Sequence, residues 1–188
     1  MKKIAASVVV LLFTIAVTAQ EGVSLSKEEK KALKLEQKLQ KEAVLSNTTA
    51  EALRSGTFVL KADRIRGRGG FIMNVDPTIN FVAVEGKDAY VQLAPSSGYG
   101  YNGLGGVTLR GKITSIDIEQ GKKHGSYNIV VNTIGHAGNI TILMNVNQTG
   151  EMASATVNTN WGNRIELNGY LVPWTGTGTK IHKGRETF

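Results

Sequence analysis

The 188-residue chain contains no cysteine. It therefore has no disulfide, no thiol nucleophile and no thiolate to hold zinc or an iron–sulfur cluster. A fold built from it is held by its core alone. The three histidines, His124, His136 and His182, stand apart, and none has a second histidine or an acid at ligand spacing. There is no G-x-S-x-G nucleophile elbow and no H-E-x-x-H pair. Asp63, Asp76, Asp88 and Asp117 are scattered over turns and strand ends, so nothing in their spacing points to a glycosidase pair. The expectation is a non-catalytic chain with no cofactor and no metal site.

The longest apolar run is short. Lys2 and Lys3 precede Ile4–Val17, broken only by Ser7 and Thr14, and Val17-Thr18-Ala19 offers compact residues to a signal peptidase. About twenty apolar residues are needed to span a bilayer. The run falls short of that, so residues 1–19 read as a cleaved secretory signal, with Gln20 as the new first residue. No thiol follows the run to carry a lipid, which excludes a bacterial lipoprotein. The expected location is periplasmic or secreted, with no transmembrane segment after cleavage. Losing Lys2 and Lys3 lowers the net charge from +7 to +5, a mild excess that argues against nucleic acid as a partner.

Residues 20–56 read as a helical lead-in. Ser26-Lys27-Glu28-Glu29 forms a capping box ahead of a helix to about Leu45. Leu35 and Leu39 lie one turn apart, with Ala32 and Ala43 extending a narrow apolar stripe between lysines and glutamates. Thr48-Thr49-Ala50-Glu51 repeats the capping signature and suggests a second short helix ended by Gly56.

After Gly56 the period becomes two. Strands are expected at Thr57–Ile65, Ile79–Val84, Ala89–Ala94 and from Val107 onward, then through Tyr127–Val131, Ile140–Val146, Ala153–Val157 and Ile165–Leu171. Ile116 and Ile118 fall out of phase with Leu109 and Ile113, which predicts a bulge near Thr114-Ser115. Gly111 and Gly169 inside strands predict close packing or strong bending. About eight hairpin-connected strands, with no helix for a parallel crossover, give an all-β fold. A single antiparallel barrel-like or strongly curved sheet over residues 57–172 is the first choice, a sandwich the second. Residues 173–188 read as a loose tail.

Four stretches carry a family resemblance: Phe58–Arg64, Val84–Asp88, Gly105–Lys112 and Ile165–Leu171. In this order and spacing the chain resembles the domain-of-unknown-function family 4251, exported proteins of Gram-negative bacteria. The resemblance implies an exported β domain behind a helical segment, and it implies no catalytic residues. It departs after Leu93, where the family tends to continue Leu-Pro and aromatics. Here the chain reads Ala94-Pro95-Ser96-Ser97-Gly98, with its tyrosines later.

Two surfaces are candidates for binding. The Ala94–Gly106 loop is about three times the length of the other turns, and long loops in compact domains tend to be functional or disordered. Its Gly98-Tyr99-Gly100-Tyr101-Asn102-Gly103 fits G-x-G-x-x-G by letter, but a strand follows where a dinucleotide site needs a helix. Tyr99 and Tyr101 are instead stacking surfaces for a sugar or apolar face. Arg64, Arg66 and Arg68 alternate, so they point one way in an extended chain and suit an anionic glycan or lipid headgroup. Asn47, Asn139 and Asn147 begin N-x-[ST] sequons, read here as turn and strand chemistry. Trp161 and Trp174 are rings for capping the barrel or anchoring a partner. The first functional expectation is a domain that binds a small ligand or glycan. The alternative is a structural or protein-interaction component of the cell envelope, and the third is an envelope hydrolase.

Overall fold

A computed structural model describes residues 26–67, 69–94, 101–121, 125–136, 138–160, 164–174 and 179–187. The signal segment, Arg68, Tyr99, His124 and Trp161 lie outside the described residues. The chain falls into two units, Met1–Glu36 and Gln37–Phe188.

One helix, α1 (Lys27–Ser55), replaces the two expected. Its start is the capping box: the Ser26 amide donates to Glu29 at 2.8 Å and the Glu29 amide to the Ser26 hydroxyl at 3.2 Å. The second signature does not interrupt it, because the Thr48 hydroxyl donates back to the Val44 carbonyl at 2.9 Å instead of capping. Thr49, Ala52 and Leu53 are buried, and Ala52 and Leu53 join the barrel's core. Gly56, at φ 64°, turns the chain into the first strand.

Among the described residues nine strands follow: β1 (Thr57–Arg66), β2 (Ile72–Asn74), β3 (Phe81–Glu85), β4 (Asp88–Leu93), β5 (Val107–Gln120), β6 (Tyr127–Gly135), β7 (Gly138–Val146), β8 (Ala153–Thr159) and β9 (Arg164–Pro173). All pairings are antiparallel; β1 and β3–β9 follow one another in order, and β9 returns to β1. The result is a closed eight-stranded barrel of β1 and β3–β9. The short β2 pairs only with the far end of β1. Closure removes the sheet edges that an open meander would expose.

The two strand glycines sit where the backbone crowds. A Cβ on Gly169 would collide with the Lys61 carbonyl at the β1–β9 seam, and one on Gly111 would meet Thr133. The expected bulge lies between Ile113 and Ser115. It turns Ile116 and Ile118 to the face of their partners Val131 and Ile129. Both nonetheless stay over a third exposed, because β4 pairs with β5 only as far as Lys112.

The barrel interior is one apolar cluster. Phe58, Leu60, Ala62, Val82, Val84, Val131, Ala155 and Leu167 have no solvent-accessible surface, so no water-sized space adjoins them. Outward positions of β6–β8 carry the polar residues expected, such as Asn132, Thr141 and Ser154.

Candidate functional site

The outer face of β1, β3 and β4 departs from that pattern. Val59, Phe81 and Ala83 point outward yet are wholly buried, with Tyr90 beside them. Val172, Trp174 and Ile181 pack against this second cluster. The cover is the C-terminal segment Thr179–Thr187. It was expected to trail loosely; it lies instead along the outside of the barrel.

Buried polar side chains hold it there. Gln92 of β4 and Thr108 of β5 face each other across the ladder, and both are buried. The Gln92 amide nitrogen donates to the Ile79 carbonyl at 3.0 Å and to the His182 carbonyl at 2.6 Å. Its oxygen accepts from the Gly184 amide at 2.7 Å and from the Thr108 hydroxyl at 3.1 Å. One glutamine thus satisfies both a carbonyl and an amide of the segment. Asn102 donates to Thr108 and accepts from the amides of Leu104 and Gly106, which fixes the base of the long loop. Backbone bonds complete the attachment: His182 to Thr78, Arg185 to Asn102 and Thr187 to Thr108, at 2.8–2.9 Å.

Lys183 is held by aromatic rings. Tyr90 and Trp174 meet edge to face, 6.2 Å between centroids, and the Lys183 ammonium lies 4.0 Å from the first ring centroid and 4.2 Å from the second. Glu85 lies 3.3 Å from the same nitrogen. Burial raises the Tyr90 hydroxyl pKa above its ordinary value.

Beside the segment, Arg110, Lys112, Ile134, Gly135, His136 and Glu186 line an open cleft of about 450 Å³. Its cations are already engaged. Asp88 accepts from Arg110 and Lys112, and those bonds hold its carboxyl below the usual carboxylate pKa. Arg110 also reaches Glu186 at 3.1 Å, and its two acidic partners raise its pKa. The cleft is therefore charge-balanced rather than a strong anion trap.

Arg64 and Arg66 project from the outer face of β1, Arg64 beside Asp63 at 3.2 Å and Arg66 beside Glu166 at 3.8 Å. Arg64 lines a groove at the β7–β8 turn with Asn147, Glu151 and Asn168. Tyr101 is 83 % exposed, and no described hydrogen bond or ion pair links it to either arginine. Trp174, read as a barrel cap or partner anchor, packs on the outer wall against Tyr90. Among the described residues, no three histidine, aspartate or glutamate side chains converge as a metal site would require.

The sequence reading missed Tyr90, Gln92, Asn102 and Lys183. A signal was available: Phe58-Val59-Leu60, Phe81-Val82-Ala83-Val84 and Ala89-Tyr90-Val91 are unbroken apolar runs, which mark strands covered on both faces.

The profile of the domain of unknown function DUF4251 matches residues 40–171. The chain belongs to the DUF4251 family. A DUF4251 protein from Bacteroides eggerthii, known from its crystal structure, is similar at 31% sequence identity with a TM-score of 0.60. The similarity covers 72% of this chain and 91% of that one. No curated protein matches. The DUF4251 match takes in the groove residues from Val59 to Thr108 and ends before the segment Thr179–Thr187 that fills the groove.

Proposed function

We propose that the chain is an exported, non-catalytic domain of the bacterial envelope that acts through its outer surface, as an interaction or structural component. The filled barrel interior carries this reading. A domain that swallows a small ligand needs a cavity with a few converging polar groups, and side chains without accessible surface occupy that place here. Exposed apolar residues on α1 support the same reading. Leu33 and Leu35 are exposed in the first unit, Leu39 and Val44 in the second. Among the described residues no helix is long and apolar enough to cross a membrane. Export rests on the N-terminal sequence. Native mass spectrometry of protein recovered from producing cells tests the proposal. The expected species begins at Gln20 and carries no small molecule. An intact Met1, or a stoichiometric ligand released only on unfolding, would overturn it.

A second reading keeps a surface ligand at the long loop. It is favoured by Tyr101, whose ring stands in solvent next to a loop base clamped by Asn102. A glycan and lipid array with wild type and Tyr101→Ala tests it.

A further inference from the structure

We propose that the outer face of β3–β5 is a peptide-recognition groove, filled in cis by Thr179–Thr187, and that its partner in trans is the same segment of a second copy. The chemistry is that of peptide recognition. Main-chain groups of an extended segment are read by fixed polar groups, and side chains enter separate pockets. Gln92 reads the carbonyl of His182 and the amide of Gly184, two residues apart. Ile181 enters the apolar cluster of Val59, Phe81 and Ala83. Lys183 enters the cage of Tyr90 and Trp174, with Glu85 as counter-charge. Gly184 passes so close to Asn102 that a Cβ there would lie 2.7 Å from its carbonyl oxygen. The groove therefore specifies apolar–x–Lys–Gly, the sequence Ile181-His182-Lys183-Gly184.

The DUF4251 match contains Val59, Phe81, Ala83, Tyr90 and Gln92 of the groove but neither Trp174 nor the segment. Every feature that recognises the segment in cis would recognise it equally from another molecule. Cis occupancy wins at low concentration, because the tether gives a high effective concentration. The inference does not depend on export or on the helix: segment exchange can fail while the surface reading above stands, and the reverse.

Two full-length variants test it by complementation. Gln92→Leu breaks the groove and leaves the segment intact. Gly184→Val breaks the segment and leaves the groove intact. Mixed, the first should lend its segment to the second. Sedimentation should then show a 1:1 heterodimer, at least ten-fold tighter than self-association of either variant. If both variants are folded by circular dichroism and the mixture stays monomeric, exchange in trans is wrong. If either variant fails to fold, a protease site replacing residues 175–178 of the wild type allows the segment to be nicked free. A labelled peptide of residues 179–187 should then exchange into the nicked chain and not into the intact one. A labelled peptide carrying Lys183→Ala should bind at least ten-fold more weakly. A nicked chain that takes up no peptide would show the face to be a fixed wall rather than a recognition site.

Discussion

Phe58 and Val59 are neighbours on β1 and equally inaccessible to solvent, yet they are buried by different things. Phe58 points inward and is covered by the barrel that β1 helps to close. Val59 points outward, and the wall around it is completed by Trp174 and Ile181. The inner cluster comes entirely from strands and the end of α1, apart from Val75 at its margin. The outer cluster needs a segment that lies beyond the family match. Closure of the barrel is therefore a property of the domain, whereas burial of its outer wall depends on a separate piece of chain.

Paired truncations should expose the difference. Phe58→Ala removes a wholly buried ring from the inner cluster and should cost about 3–5 kcal/mol, read as a lower midpoint in chemical denaturation. Phe81→Ala, on the outer wall, should cost about 3 kcal/mol in the wild type. Its cost should shrink when the segment is released by Gln92→Leu, because the ring is then already exposed. Phe58→Ala should cost the same in both backgrounds. If the two phenylalanines respond alike, the segment is not what buries the outer wall.

Gln92→Leu alone comes next in size. It takes the side-chain partner from the His182 and Ile79 carbonyls and the Gly184 amide, and the acceptor from the Thr108 hydroxyl, at about 1–3 kcal/mol for each group that stays buried. The total should settle near 2 kcal/mol, since release of the segment returns the His182 and Gly184 groups to water. Limited proteolysis should cut after Lys180 or Lys183 in the variant well before it cuts the barrel. Equal resistance in wild type and variant would mean that the other backbone bonds suffice.

A smaller effect concerns acid. Asp88 accepts from Arg110 and Lys112, which join β4 to β5 on the outer wall, and its pKa is held below the ordinary carboxylate value of about 3.9. A depressed folded-state pKa contributes stability that is present above the unfolded value and is lost as pH falls through the folded one. Asp76, lowered chiefly by the Thr78 amide and then by its hydroxyl, behaves the same way. Asp88→Asn should therefore flatten the fall in melting temperature below about pH 4. An unchanged acid limb would place that pH dependence on Asp76 or elsewhere.

The inner face was legible because its rule is local. Strict alternation in Tyr127–Val131 and Ile140–Val146 places every second side chain inside, and the phase slip before Ile116 announces a bulge. Gly111 and Gly169 announced crowding. The single helix was not legible, because a threonine that caps and one that bonds back to the preceding turn have the same local sequence. Nor was the clasp. Gln92 meets the backbone of His182 and Gly184, and Tyr90 meets Lys183, only after the barrel has closed, and none of these positions shows this in its sequence neighbours. The unbroken apolar runs of β1, β3 and β4 said that an outer cover exists, without saying which segment supplies it. Of the residues read as ligand-binding, Arg64 lies beside Asp63 and Arg66 beside Glu166, pairings that spacing could not show.

Tyr101→Ala should have the smallest effect on stability and is the most informative about the loop. The ring is 83 % exposed, so truncating it removes little buried surface and should move stability by no more than about 0.5 kcal/mol. The adjoining Asn102 is the opposite case: buried, and bonded to Thr108, Leu104 and Gly106. Asn102→Ala should cost about 2 kcal/mol by leaving amides unpaired. Adjacent residues of one loop would then separate a structural side chain from one free to meet a ligand. Chemical denaturation of both variants, run beside the glycan and lipid array, reads the two roles independently. If Tyr101→Ala destabilises as much as Asn102→Ala, the ring packs in solution and is no stacking platform. If it leaves stability intact and also leaves every array signal unchanged, the loop has no binding role through this residue.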